Sequence, residues 1–245
     1  MDRPRLAGGD GSPYNEIPRT QMNDSDSPPQ KYDFRKSLKE AHRYPVFEFL
    51  RIERFWTRPM ASLVVRAVFR SRVMPDHLTW ASFFAGLVGA AAFSGGSHAS
   101  FIAGGIFVQV CSILDCADGM LARARDQCSD RGAFLDLILD RIIECIVLGA
   151  LAAGAYRSTG SLAVLITALS AVALHFLQAS IYYLLLLYRK DPRMGQQAEL
   201  RGLFAFLIML FSVLNRPHYF FYALFGESLI AVFYHVFRFF RPARS

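Results

Sequence analysis

Charge is in short supply in this chain. Asp, Glu, Lys and Arg make up 19% of its 245 residues, against 53% hydrophobic residues. A soluble domain draws its water-facing surface from about 25% charged residues, so the shortage argues against one. Paired cysteines are missing as well. Cys111, Cys116, Cys128 and Cys145 make no C-x-x-C spacing, and no histidine lies at zinc-like distance from them. A zinc ribbon or redox pair is thereby excluded, and the four read as small packed side chains. No basic stripe interleaved with aromatics runs through a polar segment, so the net charge of +7 does not signal nucleic acid. The polar opening stretch has no apolar core of the kind a secretory leader carries. No internal repeat stands out.

What is present is a series of long apolar runs, and the mean hydropathy is +0.26 despite that polar start. Residues 1–43 are rich in Pro, Gly, Ser, Asp and Asn and are expected to form a disordered tail. Residues 44–72 alternate apolar and cationic positions, as in Leu63, Val64, Val65, Val68 and Phe69 against Arg58, Arg66, Arg70 and Arg72. That pattern predicts an amphipathic helical segment lying along a membrane interface. Residues 73–240 are expected to hold six spanning helices, near 78–93, 101–122, 132–156, 162–188, 198–214 and 219–239, because backbone in hydrocarbon must satisfy its own hydrogen bonds. A basic tail, 241–245, follows. Cations collect between the second and third spans, between the fourth and fifth, and at the C-terminus. The excess of positive charge therefore predicts that both termini, and these loops, face the cytoplasm.

Carboxylates occur where they are costly. Asp115, Asp118, Gly119 and Ala122 are spaced i, i+3, i+4, i+7 and share one helix face. Gly132, Asp136 and Asp140 are four apart and share another. A short loop joins the two helices, so they are expected to run antiparallel as neighbours. Each carboxylate alone would cost several kcal/mol in a membrane. A hard divalent cation removes that cost, magnesium first and manganese next, and two ions are able to clamp a phosphoryl group. Arg123 is placed to meet a phosphate oxygen. The rival readings are an ion or solute transporter built on the same carboxylates and a non-catalytic membrane scaffold.

The pattern DxxDGxxARx8GxxxDxxxD resembles the signature of the CDP-alcohol phosphotransferase family, and the chain matches it without a departure. The resemblance covers roughly residues 45–240. It implies an all-α integral membrane enzyme that transfers a phosphoryl-linked group from a CDP-activated donor such as CDP-diacylglycerol to an alcohol, releases CMP, and forms a homodimer. It implies Asp115, Asp118, Asp136 and Asp140 as metal ligands, with Asp140 also the base that takes the acceptor proton. Gly119, Ala122, Arg123, Ser129 and Gly132 fall where the family holds the CDP moiety. Pro75-Asp76-His77-Leu78-Thr79 resembles the family's entry to its first helix, which puts Asp76 and Thr79 beside the nucleotide; Asp76 stands where Asn is commoner. Arg189, Lys190, Arg193 and Arg201 lie on the same side, as holders of a phosphorylated acceptor or as plain anchors. Glu144, one turn past Asp140, is expected to support or pack beside the site, and His175 to bond between helices.

Overall fold

A computed structural model describes residues 55–189 and 201–240, with side chains from 55 to 184 and from 203 to 237. The expectations for the 1–43 tail, for residues 44–54, for Lys190 and Arg193, and for the 241–245 tail lie outside these residues, as do the side chains of Arg189 and Arg201. Every regular element among the described residues is a helix. They are α1 (Thr57–Val68), α2 (Pro75–Phe93), α3 (His98–Ala124), α4 (Asp130–Thr159), α5 (Leu162–Arg189), α6 (Arg201–Val213) and α7 (His218–Phe240).

Local chemistry sets the boundaries. Pro75 occupies the first turn of α2, where its missing N–H costs nothing. Ser97 caps α3 by accepting from the Ser100 N–H, while the Ser100 hydroxyl accepts from the Ser97 N–H. Ser129 caps α4 by accepting from the Gly132 N–H at 3.1 Å. Gly160 ends α4 at φ 65°, a left-handed conformation that favours glycine.

α3 is the organising helix. It packs against α1, α2 and α6; α4 packs on α2 and α5, and α7 on α5 and α6. Close approach depends on missing side chains. A Cβ on Gly154 of α4 would lie 2.1 Å from the Phe93 carbonyl oxygen of α2. One apolar core is built around Phe93, Phe101, Val108, Ile143, Leu151 and Leu224. A smaller one joins Ala61 and Val65 of α1 to Leu78, Ala117 and Leu121. Along α3, Asp115 falls between the two.

Among the described residues, three helices, α3, α5 and α7, are long and apolar enough to cross a membrane. Large side chains point outward from them, including Leu169 at 56%, Ile230 at 72% and Phe233 at 68% exposure, a surface that suits lipid rather than water. The other expected spans, in α2, α4 and α6, are not among these. α4 has 30 residues but carries Asp136, Asp140, Arg141 and Glu144 along its length. The described part of α6 has 13 residues and rises about 20 Å, against a hydrocarbon core of ~30 Å. One face of α1 packs against the bundle. Thr57, Ala61, Ser62 and Val65 are buried, whereas Leu63, expected on the apolar face, is 56% exposed.

Candidate functional site

Asp115 projects from α3, and Asp136 and Asp140 from α4. Each offers a carboxylate oxygen, and these oxygens all lie within 4.8 Å of one another. All three side chains are half-buried. Like charges at that spacing repel, and a cation coordinated between them turns repulsion into ligation. The donor set is all oxygen, which fits magnesium, manganese or calcium rather than a soft metal.

The fourth expected ligand is placed apart from this group. Asp118 is buried at 4% exposure, and its Oδ2 accepts the Thr79 hydroxyl of α2 at 2.6 Å. It remains within electrostatic reach of Asp136 and Asp140. The α2–α3 link and a backbone hydrogen bond from Gly119 orient it.

The residues expected around the nucleotide fall into two groups at the same end of the bundle. The space beside Gly119 is taken by the Arg123 guanidinium, whose Nη1 lies 3.2 Å from where a Cβ would sit. Ala122 is half-buried next to the exposed Arg123. Across the α3–α4 turn, Gly132 is flanked by Ser129 Oγ at 3.1 Å and Asp76 Oδ1 at 3.6 Å, measured from the same notional Cβ. Asp76 is thus brought to the start of α4, although 56 positions separate Asp76 and Gly132 (132 − 76) in the chain. Ser129 has a structural duty as well, as the α4 cap.

One positioning residue was not legible from the motif. Arg125, just past the end of α3, donates to the carbonyls of Val68 (2.6 Å), Phe69 (3.1 and 2.6 Å), Ser71 (3.0 Å) and Val73 (2.6 Å). It ties down the connection between α1 and α2, and so fixes where Pro75, Asp76 and Thr79 begin. The only signal in the sequence was an arginine two residues past Arg123, which reads equally as an anchor.

Asp115 and Asp140 also border a cavity of about 110 Å³ that extends along the bundle past Ser112 and Glu144. The expected interhelical bond of His175 is present: its Nε2 lies 2.9 Å from Glu144 Oε1.

A sequence model of CDP-alcohol phosphatidyltransferases matches residues 72–236 of the chain. Among named proteins, the chain is similar to the "Bifunctional IPC transferase and DIPP synthase" of Rubrobacter xylanophilus, 41% identical over 81 residues, which is 33% of this chain and 18% of that protein. The protein of the same name in Archaeoglobus fulgidus is 35% identical over 88 residues, 36% of this chain and 17% of its own length. That of Aquifex aeolicus is 38% identical over 78 residues, covering 32% and 17%. The chain therefore matches less than a fifth of the length of each of these relatives.

Proposed function

Because the chain belongs to the CDP-alcohol phosphatidyltransferase family, we propose that it transfers a phosphatidyl or similar phosphoryl-linked group from a CDP-activated donor, CDP-diacylglycerol, to the hydroxyl of an acceptor alcohol. The observation that carries this reading is the convergence of Asp115, Asp136 and Asp140 within 4.8 Å beside the Asp76–Ser129–Gly132 and Gly119–Arg123 groups. Asp118, tied to Thr79 and within electrostatic reach of Asp136 and Asp140, is the fourth ligand in this reading.

The chemistry is a displacement at the β-phosphorus of the donor. The acceptor oxygen forms a bond to that phosphorus, and the bond to the CMP oxygen breaks, with its electron pair leaving on CMP. Asp140 holds the acceptor hydroxyl and takes its proton, a role worth about 10²–10⁴ in rate. Arg123 is exposed, with its guanidinium over Gly119, and is free to fork onto diphosphate oxygens. Asp76 and Thr79 orient the nucleotide from α2. Magnesium, when bound by the aspartates, offsets negative charge on the diphosphate; two ions are the expected number, with manganese as a substitute.

The reading includes six spanning segments, an interfacial first helix, termini and site facing the cytoplasm, and a homodimer. It is supported by the loop cations and by the outward apolar surfaces of α3, α5 and α7. The test is CMP release by purified protein given magnesium, CDP-diacylglycerol and a panel of alcohols. Solute flux in sealed vesicles without CMP formation would replace this reading with a transporter.

A further inference from the structure

The transfer step uses Asp136 and Asp140 of α4, and their aim depends on how α4 is turned about its own axis. A side-chain atom about 5–6 Å from the axis moves ~1 Å when the helix turns by about 10°. A misplacement of that size costs on the order of 10²-fold in rate. The apolar contacts of α4 restrain its depth and spacing more than its rotation, because burial is non-directional. Ile143 occupies space that a Cβ on Gly86 of α2 would take, and Val147, Leu148 and Leu151 continue into the core.

A directional restraint stands one turn beyond Asp140. Glu144 borders the same cavity as Asp115 and Asp140. Its Oε1 accepts from His175 Nε2 of α5 at 2.9 Å, and its Oε2 accepts from Arg141 Nη1 at 2.5 Å. The Arg141 guanidinium also lies over the Tyr183 ring of α5, 6.0 Å from its centroid. Round the helix, Arg141 and Glu144 stand on the same side of Asp140, at about 100° and 40° from it. That side faces α5. Their partners there are eight residues apart (183 − 175), a lever of about 12 Å. The His175 end is itself held, edge-on against Phe204 of α6 at 5.4 Å between centroids, and is 6% exposed. Hydrogen bonds weaken steeply when misaligned, so a turn of α4 that swings Asp140 away from Asp115 also pulls Glu144 off His175.

We propose that Glu144, clasped by Arg141 and His175, is a positioning residue that fixes the rotation of α4 and so aims Asp136 and Asp140 at Asp115. This rests on the transferase reading above and adds to it a residue that acts through the aspartates. Two quantities are read on the full chain in detergent. One is manganese binding without donor, from loss of the free-ion electron paramagnetic resonance signal. The other is steady-state CMP release with magnesium, CDP-diacylglycerol and the best alcohol of the panel. Glu144→Leu is expected to weaken manganese binding about ten-fold. It is expected to lower kcat about 10²-fold, with the donor KM within about two-fold. A pair of His175 variants separates aim from packing, and carries the test if Glu144→Leu fails to fold. His175→Gln keeps a donor for Glu144 and gives up the ring, and is expected to stay within about three-fold of the parent in both quantities. His175→Phe keeps the ring against Phe204 and gives up the donor, and is expected to follow Glu144→Leu. A Gln variant no better than the Phe variant overturns the proposal: with both impaired the contact is packing, and with both normal the clasp aims nothing. A loss confined to Glu144→Leu likewise overturns it, and makes Glu144 a ligand in its own right. A parent protein without CMP release overturns the transferase reading, while the manganese arm still decides the aim of α4.

Discussion

The Thr79 hydroxyl lies 2.6 Å from Asp118 Oδ2, joining α2 to α3 through a carboxylate that is 4% exposed. That bond separates Asp118 from the other aspartates of the motif. Asp115, Asp136 and Asp140 face one another, while Asp118 faces α2. One carboxylate thereby links α2 to the end of α3 that carries Asp115. Thr79→Val should leave Asp118 buried with its side-chain partner gone, at about 1.5–3 kcal/mol. Lower thermal stability together with a raised donor KM is the expected pair of results, with Thr79→Ser restoring both. An unchanged donor KM in a destabilised Thr79→Val protein would reduce the bond to a packing role.

The aspartate cluster makes a prediction about stability that needs no substrate. Without metal, three carboxylates within 4.8 Å repel. Removing one charge, as in Asp136→Asn, is therefore expected to raise the melting temperature in chelator. Magnesium should stabilise the parent protein, by about 2.7 kcal/mol at a hundred times its dissociation constant, and stabilise the variant much less. Calorimetry with and without magnesium checks both signs; equal stabilisation of the two proteins would remove Asp136 from the ligand set.

Asp140 is assigned the proton. Asp140→Asn keeps the shape and an oxygen but loses the base, so magnesium-dependent CMP release should fall about 10²–10⁴-fold. The melting temperature in chelator should hold or rise. Normal turnover in this variant would require another base, and Asp115, across the same cavity mouth, would be the next to replace.

Gly154 tests the packing that holds α4 in register with α2. Its Cβ position is 2.1 Å from the Phe93 carbonyl oxygen, backbone that cannot rotate away. Gly154→Ala is expected to cost about 1–3 kcal/mol in thermal unfolding, and to lower activity in proportion to the folded fraction. Gly149→Ala, with nothing within 4 Å, is the matched control and should be neutral or slightly stabilising.

The site was legible in sequence to the extent that helix periodicity governs it. Spacings of three and four put Asp115 beside Asp118 and Asp136 beside Asp140, and a short connection made the two helices neighbours. The partner of Asp118 was not legible as such, because Thr79 is 39 positions away and only the packing of α2 on α3 brings it near. The helices fell within a few residues of expectation, since long apolar runs leave few alternatives. Their status as spans did not follow so simply: the carboxylates that build the site make α4 less apolar, and α6 is short. On α1 it is the small residue Ala61, with Val65, that packs toward Ala117 and Leu121 of α3, which leaves Leu63 of the expected apolar face on the outward side.

Arg125 has a consequence for the order in which the protein is made. The carbonyls of Val68, Phe69, Ser71 and Val73 are satisfied by a side chain that is synthesised some fifty residues later, after the whole of α2 and α3. Until it emerges from the ribosome, the α1–α2 bend has no such partner and the start of α2 has no fixed address. The start of α2, with Asp76 and Thr79, is therefore set in one event rather than helix by helix. Nascent chains halted before residue 125 should expose residues 68–73 to protease, and chains halted well beyond it should protect them; equal protection in both would show that the bend sets itself.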